Sequence, residues 1–150
     1  MTAEKYLASE HEADEKHELF DGSIIERPRS SFTHVLIVSN VIRVLGQQLK
    51  GSQFSEFTSD LRVSLAERAF CYPDISVARP PFEVIPGLTD TLINPTVLIE
   101  VVSPCTRATD RNRKVPIYRE IPSLMGYLLV EEECISVEYG FRSPGSAWEV

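Results

Sequence analysis

Long hydrophobic runs are missing from this 150-residue chain. A membrane span needs about 18 consecutive apolar residues, and no run here approaches that length. The N-terminal stretch "MTAEKYLASEHEADEKHE" is polar and acidic, so no secretory leader is expected. Cysteine is scarce. Cys71, Cys105 and Cys134 are odd in number, far apart and without a CxxC pair, which points to neither a disulfide framework nor a zinc site. Reduced thiols in a cytoplasmic protein are the expectation. Positive charge is in deficit: Lys+Arg total 15, Asp+Glu total 22, and the net charge is −7. Broad attraction to nucleic acid needs the opposite balance. Internal repeats, low-complexity tracts and any base-specific recognition module are also missing.

What is there fits an ordinary globular domain, with 43% hydrophobic and 25% charged residues. A chain of this length buries about 68–70% of its unfolded surface and needs no staples. Its charge is uneven. Glu4, Glu10, Glu12, Asp14, Glu15 and Glu18 crowd the start, while Arg107, Arg111, Arg113, Lys114 and Arg119 gather late in the chain.

Residues 3–16 read as a short polar helix anchored by Tyr6 and Leu7. "HELFDGSIIERP" reads as a hairpin turning at Asp21-Gly22 and closed by Pro28. The clearest helix runs from Ser31 to Lys50, with Val35, Val38, Val41, Ile42, Leu45 and Leu49 at three- and four-residue steps and Gly51 as its cap. Its β-branched residues weaken intrinsic propensity, so packing of that stripe is expected to hold it. Strands are expected at residues 54–59, 61–65 and 74–78. In the second of these, Leu61, Val63 and Leu65 alternate with Arg62 and Ser64, the sign of a half-buried strand. Residues 79–95 carry Pro80, Pro81, Pro86 and Pro95 and read as a long surface loop. An apolar strand follows at 96–103, then a basic helix at 107–120 in which Pro116 threatens a kink. A final hairpin turns at the acidic stretch 131–133. The class is α/β with a mixed sheet flanked by helices, in a single domain spanning 1–150.

One residue does not fit its surroundings. Glu100 interrupts a run of Val97, Leu98, Ile99, Val101 and Val102, and a lone ionised carboxylate is expensive to bury there. Asp74 opens another strand. If the two strands are neighbours, both carboxylates converge, and a divalent cation between them would offset the burial of both. Mg²⁺ accepts two protein carboxylates plus waters and a substrate oxygen. It polarises phosphate and activates water. Lys114, on the following helix, is the candidate to stabilise developing negative charge. Arg107, Arg111 and Arg113 flank it and would face phosphates.

The order Asp, Glu, Lys, with Pro73-Asp74 and Glu100, resembles the PD-(D/E)XK nuclease superfamily, the restriction-endonuclease-like fold. Within it the chain resembles the Uma-two family of endonuclease-like proteins. The matching stretches are "YLASEHEADEKHELFDGSIIERP", "TH" at 33–34, "YPDISVA", "IEVVSPCTRATDRNRK" and "YREIPSLMGYLLVE". The resemblance implies a Mg²⁺-dependent DNA endonuclease, with Mn²⁺ able to substitute, Asp74 and Glu100 as metal ligands and Lys114 as the catalytic cation. It adds Glu18, in "HELFDG", as a residue that reaches the metal or holds its water. Val102 stands where the superfamily has its lysine, which is displaced here to Lys114. Ser23 replaces a common acidic residue. The family continues past Trp148-Glu149-Val150 with more strand and helix, so a short C-terminus is expected. Cutting both strands needs two sites, which is compatible with a homodimer.

Blander readings stand beside these. Asp74 alone reads as a turn residue, Lys114 as a solvated lysine, and Glu100 as half of a salt bridge with a following arginine. His34 reads as a cap or surface residue, and Tyr118 and Tyr127 as packing. The functional alternative is a catalytically inactive nuclease-fold module that binds nucleic acid or a protein partner.

Overall fold

Asp21 and Gly22 both adopt positive φ, 46° and 84°, as a two-residue type I′ hairpin turn requires. They join β1 (His17–Phe20) to β2 (Ser23–Glu26), with Phe20 opposite Ser23. The computed structural model describes residues 1–65 and 68–150. Before the hairpin, α1 (Ala3–His11) stops short of the expected residue 16. The chain leaves the helix there because the Glu10 carboxylate accepts from the His17 backbone N–H at 2.8 Å and meets its ring Nδ1 at 3.1 Å. Tyr6 is the buried anchor and Leu7 packs beside it.

Helix α2 (Phe32–Gln48) starts where Ser31 Oγ accepts from the His34 backbone N–H at 3.0 Å, an ordinary N-cap. Its apolar stripe is not sunk into the core. Val35 is exposed, Val38, Val41, Ile42 and Leu45 are half-buried, and the one buried residue of the helix is His34. The packing expected from the periodicity is therefore partial.

The remaining strands are β3 (Ser55–Thr58), β4 (Arg62–Leu65), β5 (Ala69–Cys71), β6 (Ile75–Ala78), β7 (Thr91–Leu92), β8 (Val97–Val102), β9 (Gly126–Glu131) and β10 (Val137–Phe141). The expected mixed α/β class holds, but the described strands divide between two five-stranded sheets, ordered β2-β1-β5-β4-β7 and β10-β9-β8-β6-β3. In the second sheet β8 runs parallel to β9 and antiparallel to β6. Strand β5 was too short to stand out by alternation. Strand β7 lies inside the proline-rich loop, paired parallel with β4.

The main core lies between the sheets. Phe20, Val63 and Leu65 of one meet Leu98, Val102 and Leu129 of the other. Burial of each such side chain contributes roughly 1.5–3 kcal/mol. The other face of the first sheet packs Leu19 and Phe70 against Tyr6 of α1. With both faces covered, β4 is buried throughout, and the half-exposed strand expected there is not found. Arg62 is satisfied inside: its Nε donates to Thr91 Oγ1 at 2.8 Å and its Nη2 to Asp90 at 3.1 Å.

The late helix starts where expected, ends at Tyr118 rather than residue 120, and changes pitch: α3 (Arg107–Thr109), a π-helical turn (Asp110–Lys114), then α4 (Val115–Tyr118). Pro116 has no N–H to give the preceding turn. The wide turn falls immediately before it, with the Val115 N–H reaching the Asp110 carbonyl.

Candidate active site

Strand alternation puts Leu98, Glu100 and Val102 on one face of β8. Leu98 and Val102 enter the core between the sheets, and Glu100 is carried in with them, 2% exposed. Asp74 immediately precedes β6. The register Ile75 opposite Ile99 places it across from Glu100. The Asp74 N–H donates to Glu100 Oε2 at 3.4 Å, and Asp74 Oδ2 accepts from the Val101 N–H at 2.8 Å. The expected convergence of the two carboxylates is what the strands produce.

Both carboxylates line a cavity of about 360 Å³ whose wall also includes Glu18, Arg27, His34, Asp110 and Lys114. Glu18 shares the inner face of β1 with Phe20 and accepts from the Tyr72 N–H at 3.0 Å. Asp74 Oδ1 takes Arg27 Nη2 at 2.5 Å and meets His34 Nε2 at 3.1 Å. Lys114, 5% exposed, holds its ammonium 3.1 Å from Glu100 Oε1, 3.2 Å from Glu18 Oε1 and 3.2 Å from Asp110 Oδ1. The contact with Glu100 is a hydrogen bond. Asp110 Oδ1 is close enough for an ion pair but makes no hydrogen bond, and is a buried acceptor left unsatisfied. Tyr118 OH donates to Glu100 Oε1 in a short hydrogen bond.

The charges do not balance. Glu18, Asp74, Glu100 and Asp110 face two permanent cations, Arg27 and Lys114, together with His34. Burial pushes Glu100 up to about 8, with Asp110, Asp74 and Glu18 adding to the rise and Lys114 opposing it. Burial alone would lower Lys114, but Glu100, Glu18 and Asp110 hold its pKa well above the ordinary value. Here the lysine is shared among three acids, so it stays charged while Glu100 remains hard to ionise. Burial also pushes Asp74 up, yet the His34 hydrogen bond and charge, Arg27 and the Val101 N–H together keep it below its usual range. His34 is raised chiefly by its hydrogen bond to Asp74.

A scan against family models matches residues 3–149 to Uma2, described as "Putative restriction endonuclease". The chain belongs to the Uma2 family. Two relatives from Synechocystis sp. (strain ATCC 27184 / PCC 6803 / Kazusa) support the assignment. The "Uncharacterized protein sll1609" is 34% identical over 99% of this chain and 84% of its own length. The "Uncharacterized protein slr1290" is 30% identical over 99% of this chain and 77% of its own. The crystal structure of a "putative nuclease belonging to DUF820" from Anabaena variabilis ATCC 29413 matches with a TM-score of 0.74 at 22% identity, covering 99% of this chain and 83% of that one. That likeness establishes a nuclease-like fold.

The Uma2 fold thus gathers Glu18, Asp74, Glu100 and Lys114 from four separate stretches of sequence. It does not gather the arginines. Arg107 bonds Glu131 at 3.0 Å and Glu133 at 3.3 Å, and Arg111 bonds Glu131 at 2.6 Å and Glu138 at 2.5 Å, on the β9–β10 hairpin. Arg113 is exposed. Four participants escaped the sequence reading. His34 is buried against Asp74 rather than capping or exposed. Arg27, immediately after β2, gave no signal. Asp110 and Tyr118 stand one helical step to either side of Lys114, a four-residue spacing that could have found them. Tyr127 is a packing residue as expected, with its hydroxyl accepting from Arg119 at 2.5 Å.

Among the described residues no helix is long and apolar enough to cross a membrane. Cys71 is buried, while Cys105 and Cys134 are exposed; all three are free.

Proposed function

We propose that this Uma2 chain is a Mg²⁺-dependent endonuclease that hydrolyses DNA phosphodiester bonds, with Asp74 and Glu100 holding the cation. The observation that carries this reading is the uncompensated negative charge around Glu100, where the register of β6 and β8 brings Asp74 across from it at the cavity wall. Among the described residues no group of three or more His, Cys, Asp and Glu side chains is disposed to hold a metal. The donor set proposed is the pair Asp74 and Glu100. Two carboxylates fit Mg²⁺, which keeps several waters and takes further oxygens from phosphate. Glu100 Oε2 receives only the long 3.4 Å contact from Asp74, so it retains acceptor capacity toward the cavity. A bound cation would supply Lewis-acid polarisation of a phosphate oxygen and a more acidic water; Mn²⁺ would serve in its place.

The chain's own groups have distinct parts. Asp74 and Glu100 bind through the oxygens not taken by Arg27 and Lys114. Glu18 holds Lys114 from below and is itself fixed by the Tyr72 N–H. Lys114 neutralises charge building on the phosphate, exchanging its unbonded contact with Asp110 for a phosphate oxygen. Arg113 is the cation of the basic helix open to a DNA backbone, because Arg107 and Arg111 are engaged internally.

The second reading, an inactive nuclease-fold module, is favoured by the state of Asp74. Its Oδ1 is occupied by both Arg27 and His34. One experiment separates the two readings: cleavage of supercoiled plasmid in Mg²⁺ or Mn²⁺ by wild type and Glu100→Gln, with DNA binding measured separately in Ca²⁺. The enzyme reading requires cleavage by wild type and none by the variant. Binding without cleavage in either metal gives the module.

A further inference from the structure

Asp110, Lys114 and Tyr118 form one ridge at four-residue steps, and the ridge ends on Glu100. Two donors from it meet the same carboxylate oxygen: Lys114 Nζ at 3.1 Å and the Tyr118 hydroxyl both reach Oε1. Oε2 is left with the 3.4 Å contact from the Asp74 N–H. We propose that Tyr118 is a positioning residue for Glu100, its phenol fixing Oε1 so that Oε2 is presented to the cavity beside Asp74. The proposal rests on the endonuclease reading of that cavity.

Tyr118 cannot act on a substrate directly. It is fully buried and does not line the cavity, so whatever it does passes through Glu100. Its ring packs in the core between the sheets, a task that phenylalanine would perform equally. The hydroxyl is the feature that packing does not explain. A phenol buried without a partner is unfavourable, and its neighbours are Glu100 Oε1 and, at 3.7 Å, Cys71 Sγ. The thiol is a weak acceptor, so the carboxylate is the partner that matters, and a bond to it is charge-assisted once Glu100 ionises. Glutamate has several rotamers to lose. One donor, Lys114, is itself shared with Glu18 and Asp110, so it does not fix the carboxylate plane alone. The phenol adds the second point. Lys114 ends the π-helical turn and Tyr118 ends α4, and both are buried, just before and after Pro116. Such turns recur at functional sites.

The test is Tyr118→Phe, which keeps the ring and removes only the hydroxyl. Crystal structures of metal-free wild type and variant should show an unmoved aromatic ring and a displaced or doubly oriented Glu100 carboxylate. Mn²⁺ titration should show affinity lowered by roughly 10-fold or more, the size of one hydrogen bond to a charged group. A purely structural tyrosine would lower the melting temperature in EDTA without moving Glu100. An unmoved carboxylate together with wild-type Mn²⁺ affinity overturns the proposal. If wild type itself takes up no Mn²⁺, the endonuclease reading fails separately, and the metal-free structures still decide: a moved carboxylate supports the role of Tyr118 and an unmoved one removes it.

Discussion

Asp74 and Glu100 are joined through the backbone as well as through their shared cavity: the Asp74 N–H points to Glu100 Oε2 and the Val101 N–H to Asp74 Oδ2. Each carboxylate is therefore oriented by the strand that carries the other. Removing one charge should leave the neighbouring backbone in place. Asp74→Asn and Glu100→Gln are each expected to fold and to lose Mn²⁺ binding in isothermal titration. Asp74→Ala should in addition destabilise the chain, because Arg27 and His34 lose the anion they share. Equal heats from wild type and Glu100→Gln would exclude Glu100 as a ligand.

The pH dependence of stability follows from the same crowding. Glu100 sits at about 8 in the folded protein against an ordinary 4.5, with Glu18, Asp74, Asp110, Lys114, Tyr118 and Cys71 around it. Between those values the folded protein holds a proton that the unfolded chain has released. Stability in EDTA should therefore be greatest near the lower value and fall as pH rises toward about 8. Asp74 runs the other way: its folded pKa is depressed, so its contribution is present above its unfolded value and is lost as pH falls through the folded one. Thermal melting from well below pH 3.8 up to pH 9 checks both. Glu100→Gln should flatten the alkaline fall, and Mn²⁺ should flatten it in wild type by favouring the ionised form. A wild-type curve that rises from pH 5 to 8 in EDTA would contradict the assignment.

Much of this was legible in the sequence because it rests on short-range rules. A carboxylate inside an apolar strand has to be explained by what surrounds it, and Asp-Gly between apolar runs makes a hairpin. What escaped depended on long-range assembly. The exposed reading of Arg62 and Ser64 failed because α1 covers the second face of their sheet. The reading of His34 failed because helix periodicity marks an apolar stripe, whereas α2 is anchored by the one histidine that meets Asp74. Glu18, Asp74 and Glu100 were identifiable singly and Asp110 was not; the sharing of one lysine by Glu18, Glu100 and Asp110 depends on β1, β8 and the π-helical turn meeting in space.

The arginines divide by their partners. Arg111 spends its guanidinium on Glu131 and Glu138, and Arg113 is free to meet solvent. Arg113→Ala should weaken DNA binding in Ca²⁺ by about one phosphate contact and flatten the salt slope by about 1. Arg111→Ala should leave that slope near the wild-type value and loosen the β9–β10 hairpin, read as faster amide exchange there. The reverse result would mean that DNA breaks the Glu131 and Glu138 pairs on binding.

Lys114 distinguishes a structural cation from a catalytic one. Its ammonium lies within 3.2 Å of three buried carboxyl groups, so Lys114→Met should leave Glu18 and Asp110 without their shared cation and drive Glu100 further toward its protonated form. Breaking a buried ion pair by removing one partner costs about 3–5 kcal/mol, and urea unfolding in EDTA should register a loss of that order. A divalent cation at Asp74 and Glu100 would replace part of the missing charge, so Mn²⁺ should stabilise the variant more than it stabilises wild type. Turnover is a separate matter. A metal can restore the balance of charge but cannot place an ammonium beside the phosphate. Single-turnover cleavage at saturating DNA should therefore fall by about 10²–10³-fold, the scale of one lost electrostatic stabiliser, even where Mn²⁺ has recovered the fold. Stability lost with cleavage retained would make Lys114 a counterion alone, and the catalytic cation would have to be sought elsewhere on the cavity wall, first at Arg27.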